Sequence, residues 1–220
     1  MKDTIIGVDL AKRAFQVHGA SIAGEVKFRK KLTREQFRLF IAQQPACIVV
    51  FEACGSANYW AREVEKLGHE PKLIAPQYVR PFVKRQKNDA TDAEAIVIAA
   101  RQPEMRFVLP KTAEQQAKSV LFRNRERLVR QRTELVSALR SALYEYGHVF
   151  PIGLAHLKRM DALVQGADCD LPSLIVTECR ELLAQIAETT EKITTKTKRL
   201  NALADETDTA RRLQTMPGVG

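Results

Sequence analysis

Two short apolar segments of this chain each end in an acidic residue. TIIGVD ends at Asp9, and CIVVFE ends at Glu52. Acidic residues are rarely buried unless they are paired or bind a metal, so a carboxylate at the end of a buried strand is not explained by packing and indicates a functional role. Asp89 and Asp92 follow three residues apart in DATDAEAIVIAA, a helical pattern that puts both on one helix face. Because four clustered carboxylates repel one another, we predict that a divalent cation neutralises them, with Mg²⁺ first and Mn²⁺ as the alternative.

Each acid also has a structural interpretation that the sequence leaves open. Asp9 has the alternative of a strand-end turn, and Glu52 that of a cap for the helix after it. Asp89 and Asp92 have the alternative of an N-cap and a first-turn acid, which the helix dipole favours.

The order of elements in the first half of the chain predicts an α/β fold. TIIGVDLA, AFQVHGAS and EVKFRKKL are predicted to form three consecutive strands, and Thr33 to cap a helix with Glu35–Gln36 as the partner of a capping box. CIVVFEA and PKLIAP are further strands, each followed by a helical pattern. This order is the plan of the ribonuclease H-like fold, in which the first and fourth strands lie side by side at the sheet centre.

The second half of the chain is predicted to be helical. Residues 112–147 form a long charged stretch without internal glycine or proline, and a second such helix runs from Pro172 to about Asp205. The segment between them, with Gly153 and Gly166, is predicted to be a loop. The two helices are interpreted as an antiparallel hairpin or as arms that pair with another subunit. Apolar residues seven apart mark the seams: Leu121, Leu128, Leu135 and Ala142, with Val120, Leu139, Leu143 and Tyr146 beside them, and then Ile186, Ile193 and Leu200.

The charge of the chain favours a polyanionic partner. The formal net charge is +9, and residues 80–140 carry 14 Lys and Arg against 7 Asp and Glu. Basic side chains beside an acid cluster are what an enzyme of phosphodiester chemistry needs, since cations hold phosphate while the acids hold metal. The alternative is a solvated basic helix face. The predicted contacts to nucleic acid are Lys12, Arg80, Lys84, Arg85, Lys87, Arg123, Arg125, Arg127 and Arg130.

Other classes of protein are disfavoured by what the sequence contains. No stretch approaches about 20 uninterrupted apolar residues, so we expect no membrane partner. The amino terminus has no signal-peptide pattern. The four cysteines form no CxxC pair, and the four histidines are dispersed, so a disulfide scaffold and a zinc site are not expected. We therefore expect a cytoplasmic protein; that it is bacterial and nucleoid-associated is what the family resemblance given next implies.

Three motifs in order resemble those of a known family. IGVDLAK, FEACGSANYW and KNDATDAEAI resemble the motifs of the DEDD transposases of bacterial insertion sequences, the insertion-sequence-110 family with its 1111 subgroup. The resemblance implies a RuvC-like catalytic domain whose four acids are Asp9, Glu52, Asp89 and Asp92, with Lys87 heading the third motif. It implies a transposase or recombinase that acts on DNA and is guided by a noncoding bridge RNA. A homo-oligomer, dimer or tetramer, is expected through the helical region.

The resemblance also divides the chain. Residues 1–110 would be the RuvC-like metal-binding domain, residues 111–208 a coiled-coil and dimerisation region, and residues 209–220 the start of a C-terminal transposase domain. PGVG at the end resembles the hairpin of a helix-hairpin-helix element. In the family a serine of that C-terminal domain is the recombination nucleophile. We expect this serine to lie beyond Gly220, so none of the serines in this sequence is assigned the role.

Three other functions remain open on the sequence. A RuvC-like endonuclease that resolves branched DNA would need the same four acids. A non-catalytic module for nucleic-acid binding and dimerisation would use only the basic and helical segments. IGVDLAK also resembles the phosphate-binding opening of actin-like ATPases and sugar kinases, but the Gly-rich nucleotide motifs that those proteins need are missing from the sequence.

Overall fold

The computed structural model describes residues 3–83, 89–166 and 170–218, with the backbone alone for residues 89 and 90. The chain divides into two compact units, Met1–Gln116 and Ala117–Gly220. The strands are β1 (Thr4–Leu10), β2 (Ala14–Ser21), β3 (Val26–Thr33), β4 (Ile48–Glu52), β5 (Glu70–Ile74) and β6 (Phe107–Val108). The helices are α1 (Arg34–Ala42), α2 (Ala57–Lys66), α3 (Pro76–Val79), α4 (Asp89–Ala100), α5 (Ala113–Glu145), α6 (Leu157–Gln165), α7 (Ser173–Asp205) and α8 (Asp208–Gln214).

The first unit is built on one sheet with the strand order β3-β2-β1-β4-β5-β6. β1, β2 and β3 form an antiparallel meander, whereas β4 and β5 run parallel to β1 and are joined through helices. This is the ribonuclease H-like order, and the predicted fold class is confirmed. The short strand β6, which pairs with the end of β5, was not expected from the sequence.

The two faces of the sheet bury different cores. Ile6 and Val8 of β1 point to a core shared with α1 and α2, where Phe15, Phe37 and Trp60 stack edge to face. The opposite face of the sheet, which holds the alternate residues of β1, is covered by α4.

α1 begins as predicted, because the Thr33 hydroxyl accepts from the amide of Gln36 and the Gln36 side chain accepts from the amide of Thr33.

α4 lies directly on β1 because Gly7 has no side chain. A Cβ on Gly7 would come within 2.5 Å of the Ala93 carbonyl oxygen and 2.7 Å of the Val97 Cγ2. The far end of the helix is held by Arg101, whose guanidinium donates to the carbonyls of Ile22 (3.0 Å) and Ala23 (2.6 Å) after β2. Since β2 ends where β1 begins, α4 runs antiparallel to β1 and its first turn lies over the carboxyl end of that strand.

The second unit is an antiparallel helical hairpin. Arg125, near the start of α5, donates to the Thr197 hydroxyl near the end of α7 (3.3 Å), and Leu143 near the end of α5 shares a core with Cys179 near the start of α7. The two long helices thus pack on each other within one chain, and pairing with another subunit stays a prediction.

The residues that the hairpin buries depart from a strict heptad. The buried side chains of α5 are Leu128, Val136, Leu139 and Leu143. Leu121, Leu135 and Ala142 are half-buried, and Val120 and Tyr146 are exposed. The buried stripe therefore includes Val136 beside the predicted seam, while Leu135 and Ala142 of that seam pack against the same core.

The segment predicted as a loop between the long helices contains α6. Met160 and Val164, one turn apart, are fully buried against α5 and α7. After α7 comes the short helix α8, and Gly218 follows with a φ of +82°. Among the described residues no helix is long and apolar enough to cross a membrane.

Candidate active site

Asp9 and Glu52 lie next to each other at the carboxyl ends of β1 and β4. The two strands are parallel, and their register pairs Gly7 with Val50 and Val8 with Phe51, so the next position brings Asp9 beside Glu52. Side chains two residues apart on a strand share a face. Asp9 therefore lies on the face of Gly7, and Glu52 on the face of Val50, which is the side covered by α4. Both carboxylates are half-buried.

Asp92 comes to the same place from the first turn of α4. It directly precedes Ala93, whose carbonyl oxygen is the nearest helix atom to the Gly7 position. The antiparallel packing of α4 on β1 thus carries Asp92 toward the strand ends where Asp9 and Glu52 lie. Acids from three separate segments of sequence therefore lie toward one end of the sheet, because one glycine lets the helix sit close to the strand.

The pKa of Glu52 is affected by its closeness to Asp92. Burial raises the pKa of the Glu52 carboxyl, the negative charge of Asp92 raises it further, and the positive charge of Arg80 acts in the opposite direction. A carboxyl that is partly desolvated beside a second carboxylate resists ionisation. A proton or a cation placed between the two groups relieves this repulsion.

The donor set fits a hard divalent cation in its chemistry. Carboxylate oxygens are the ligands that Mg²⁺ takes, with water completing the shell. Within residues 3–83, 89–166 and 170–218, no three His, Cys, Asp or Glu side chains are gathered closely enough to hold a metal ion. The side chain of Asp89, the fourth predicted ligand, lies outside the described residues; its backbone begins α4, three residues before Asp92.

Two of the predicted nucleic-acid contacts lie at this end of the sheet. Arg80 is exposed in a short 3-10 turn and is close enough to act on the charge of Glu52. Lys12 is exposed in the turn between β1 and β2, three residues after Asp9. Lys84, Arg85 and Lys87 lie outside the described residues.

The remaining predicted contacts lie on α5 in the second unit. Arg123, Arg127 and Arg130 are exposed, with Arg127 donating to Gln131 on the next turn. Arg125 differs from them, since it is half-buried and pairs with Glu126 and Thr197 inside the hairpin.

Two polar residues that the sequence did not single out share a row with Asp9. The register of the meander sets Gln16 of β2 opposite Asp9, and Lys31 of β3 opposite Gln16. Opposed residues on neighbouring strands point to the same face. Counting outward from the turn between β1 and β2 gives the pairing of Asp9 with Gln16. The pairing of Gln16 with Lys31 could not be obtained in the same way, because an irregularity at Gly19 and Ala20 shifts the register of β2 and β3 by one residue.

Comparison with known proteins gives one family. The family model DEDD_Tnp_IS110, described as "Transposase", matches residues 6–148. The chain is 42% identical over 220 residues to the transposase for insertion sequence element IS1328 of Yersinia enterocolitica, covering 99% of this chain and 64% of that protein. It is 37% identical to the transposase for insertion sequence element IS1111A of Coxiella burnetii, covering all of this chain and 61% of that protein. The chain thus spans less than two thirds of the length of these relatives.

Among solved structures, T. thermophilus RuvC in complex with a Holliday junction substrate aligns with a TM-score of 0.35 and 10% identity. The alignment covers 48% of this chain and 99% of that one.

Proposed function

Because the chain belongs to the DEDD transposase family of insertion sequence 110, we propose that it acts on DNA phosphodiesters in transposition, through a divalent cation held by Asp9, Glu52, Asp89 and Asp92. The observation that carries this proposal is the meeting of β1, β4 and α4. The register of the two strands and the close approach of the helix at Gly7 bring acids from three motifs to one end of the sheet.

The cation, Mg²⁺ or Mn²⁺, supplies positive charge that binds a phosphate and stabilises the charge developing on its oxygens. The chain's own residues prepare the site for it. Glu52, partly desolvated and next to Asp92, gains more from a neighbouring cation than an exposed carboxylate would. Arg80, exposed beside Glu52, supplies a fixed positive charge to a phosphate that enters the site.

Partners follow from the same family membership. We propose that a noncoding bridge RNA of the element guides the protein, so that base pairing selects the sequence while the protein contacts backbone and shape. The net charge of +9 and the exposed arginines of α5 support a polyanionic partner. A homo-oligomer through the helical unit is part of the same proposal.

An excision assay tests the function. In cells that carry the intact element, the junction left by excision is amplified and counted for the wild type, Asp92→Asn and Glu94→Gln. Glu94 lies on the same helix but pairs with Arg29 rather than with the acid cluster (3.5 Å). We expect Asp92→Asn to reduce excision at least a hundredfold and Glu94→Gln to retain it. Equal excision by all three proteins would refute the role of the acids.

The two other nucleic-acid functions give different results. A branched-DNA endonuclease would cut a four-way junction into nicked duplexes without forming the excision junction. A non-catalytic module would bind DNA equally with and without divalent metal and would tolerate Asp92→Asn in both assays.

A further inference from the structure

We propose that Lys31 binds the phosphodiester backbone of the nucleic acid that enters the acid cluster. Lys31 is the last of a row of basic side chains on the edge strand β3. The interpretation as a substrate contact rests on the proposed function. Lys31 was not among the basic residues expected to bind nucleic acid.

The side chains of β3 alternate between the two faces of the sheet. Phe28 and Leu32 pack on the core of α1 and α2, and Lys30 lies over the Phe40 ring (5.6 Å) on that same side. Residues between them point to the opposite face of the sheet. Three basic side chains therefore share the face that holds the acid cluster: Lys27, Arg29 and Lys31.

Charge pairing along this row changes toward the acid cluster. Lys27, at the far end, pairs with Asp3 at 3.0 Å. Arg29, in the middle, pairs with Glu94 at 3.5 Å and contacts the buried His18. Lys31 is exposed and has no acidic partner among the described residues. Of the three cations in this row, the one nearest the acids is thus the one without an acidic partner among the described residues.

The position of Lys31 relative to Asp9 is fixed by the sheet. Lys31, Gln16 and Asp9 are opposed on three neighbouring strands, which separates the backbones of Lys31 and Asp9 by roughly 10 Å. At this separation, a nucleic-acid strand with one phosphate at the acids can place a nearby phosphate of the same strand at Lys31.

The turn between β1 and β2 adds two more cations at this end of the sheet. Lys12 and Arg13 are both exposed and have no acidic partner within the described part of the chain. Together with Lys31 they lie around the half-buried acids, so that one end of the sheet combines carboxylates with surrounding basic side chains.

The competing explanation for Lys31 is protection of an edge strand against pairing with another chain, for which edge lysines are often used.

The chain itself offers a matched control. Lys30→Gln and Lys31→Gln remove the same charge from the same edge strand, but from opposite faces. If Lys31 only protects the edge strand or adds to the general charge, the two variants should bind nucleic acid with equal affinity. If Lys31 contacts the nucleic-acid backbone, Lys31→Gln alone should lose affinity, and Lys31→Arg should retain the wild-type affinity.

The experiment is a fluorescence anisotropy titration of the full chain with labelled 20-mers in EDTA. The probes are duplex DNA and duplex RNA of one arbitrary sequence, titrated at salt concentrations from about 50 to about 200 mM. We expect Lys31→Gln to weaken binding roughly three- to tenfold and to reduce the slope of log K against log salt by about 1. Lys30→Gln should match the wild type, and thermal melts should be alike for both variants.

Each outcome decides the proposal. A reduced slope with DNA identifies the bound backbone as DNA, and one with RNA alone identifies it as RNA; either supports the contact. Equal effects of the two glutamine variants, or no change in slope for Lys31→Gln, overturn it. Since metal is absent throughout, a failure of the acid cluster to bind metal would leave these titrations unaffected and would be detected separately by calorimetry.

Discussion

Glu52 at the end of β4 and Asp92 in the first turn of α4 lie close enough for the charge of one to act on the other. Burial is the main cause that raises the pKa of the Glu52 carboxyl, and the Asp92 carboxylate raises it further. The two residues are 40 positions apart in sequence and belong to different motifs. Their approach is set by the contact of α4 with β1 at Gly7 rather than by either motif alone.

The raised pKa of Glu52 predicts how stability depends on pH. The folded protein keeps the Glu52 proton to a higher pH than the unfolded chain, whose carboxyl has the ordinary pKa of 4.5. The contribution of Glu52 to stability is therefore greatest below that value and is lost as pH rises through the raised folded pKa. Glu52→Gln, which cannot ionise, should be more stable than the wild type near neutral pH, and the difference should vanish in acid.

Urea unfolding in EDTA at a series of pH values measures this difference. Asp92→Asn removes one cause of the shift and should move the pKa of Glu52 downward, as followed by carbon NMR of the side-chain carboxyl. If Glu52→Gln were more stable than the wild type by the same free energy at pH 4 as at pH 7, the raised pKa of Glu52 would be contradicted.

The close contact at Gly7 predicts a local intolerance of any side chain. Gly7→Ala would press a methyl group onto the Ala93 carbonyl and the Val97 side chain, and overpacking of this kind costs about 1–3 kcal/mol. Gly55→Ala is the control, because a Cβ there would meet no atom within 4 Å, and its effect should stay within about 0.5 kcal/mol. Urea midpoints compare the two, and equal midpoints would mean that α4 does not lie on β1 as described.

A buried histidine outside the site should matter for stability but not for metal binding. His69 contacts the Ile41 carbonyl through Nε2 (3.0 Å) and accepts from the Cys47 amide at Nδ1 (3.3 Å). His69→Leu removes the acceptor of the Cys47 amide and one contact of the Ile41 carbonyl, which still accepts from the Gln44 amide (3.0 Å). We expect a cost of about 1–3 kcal/mol. Chemical unfolding measures the loss. A change of less than about 0.5 kcal/mol, or a weakened affinity for Mn²⁺ in the folded variant, would contradict this assignment.

The local patterns that predicted the fold are those in which neighbouring residues determine the structure. Thr33 and Gln36 predicted the start of α1, and the strand-length apolar runs that end at Asp9 and Glu52 predicted the two central strands, because capping and alternation depend on residues a few positions apart. The same runs predicted that Asp9 and Glu52 would end neighbouring strands, since parallel strands end at one edge of a sheet.

Features that depend on distant contacts were missed or displaced. The segment between the long helices contains Gly153 and Gly166, which suggested a loop, yet Met160 and Val164 are helical because α5 and α7 provide a core for them. The buried stripe of α5 includes Val136, which the seven-residue spacing did not single out, beside the half-buried Leu135 that packs against the same core.

The central claim is that the acids at the ends of β1, β4 and α4 form one site for a divalent cation. Isothermal titration calorimetry with Mg²⁺ and Mn²⁺ tests it on the wild-type chain, on Asp9→Asn/Asp92→Asn and on Asp161→Asn/Asp205→Asn. The last pair removes the same charge from exposed positions of the helical unit. We predict that the wild type and the helical-unit variant bind metal alike, and that the acid-cluster variant binds at least tenfold more weakly. Identical isotherms for all three proteins, or no heat of binding in any of them, would contradict the claim.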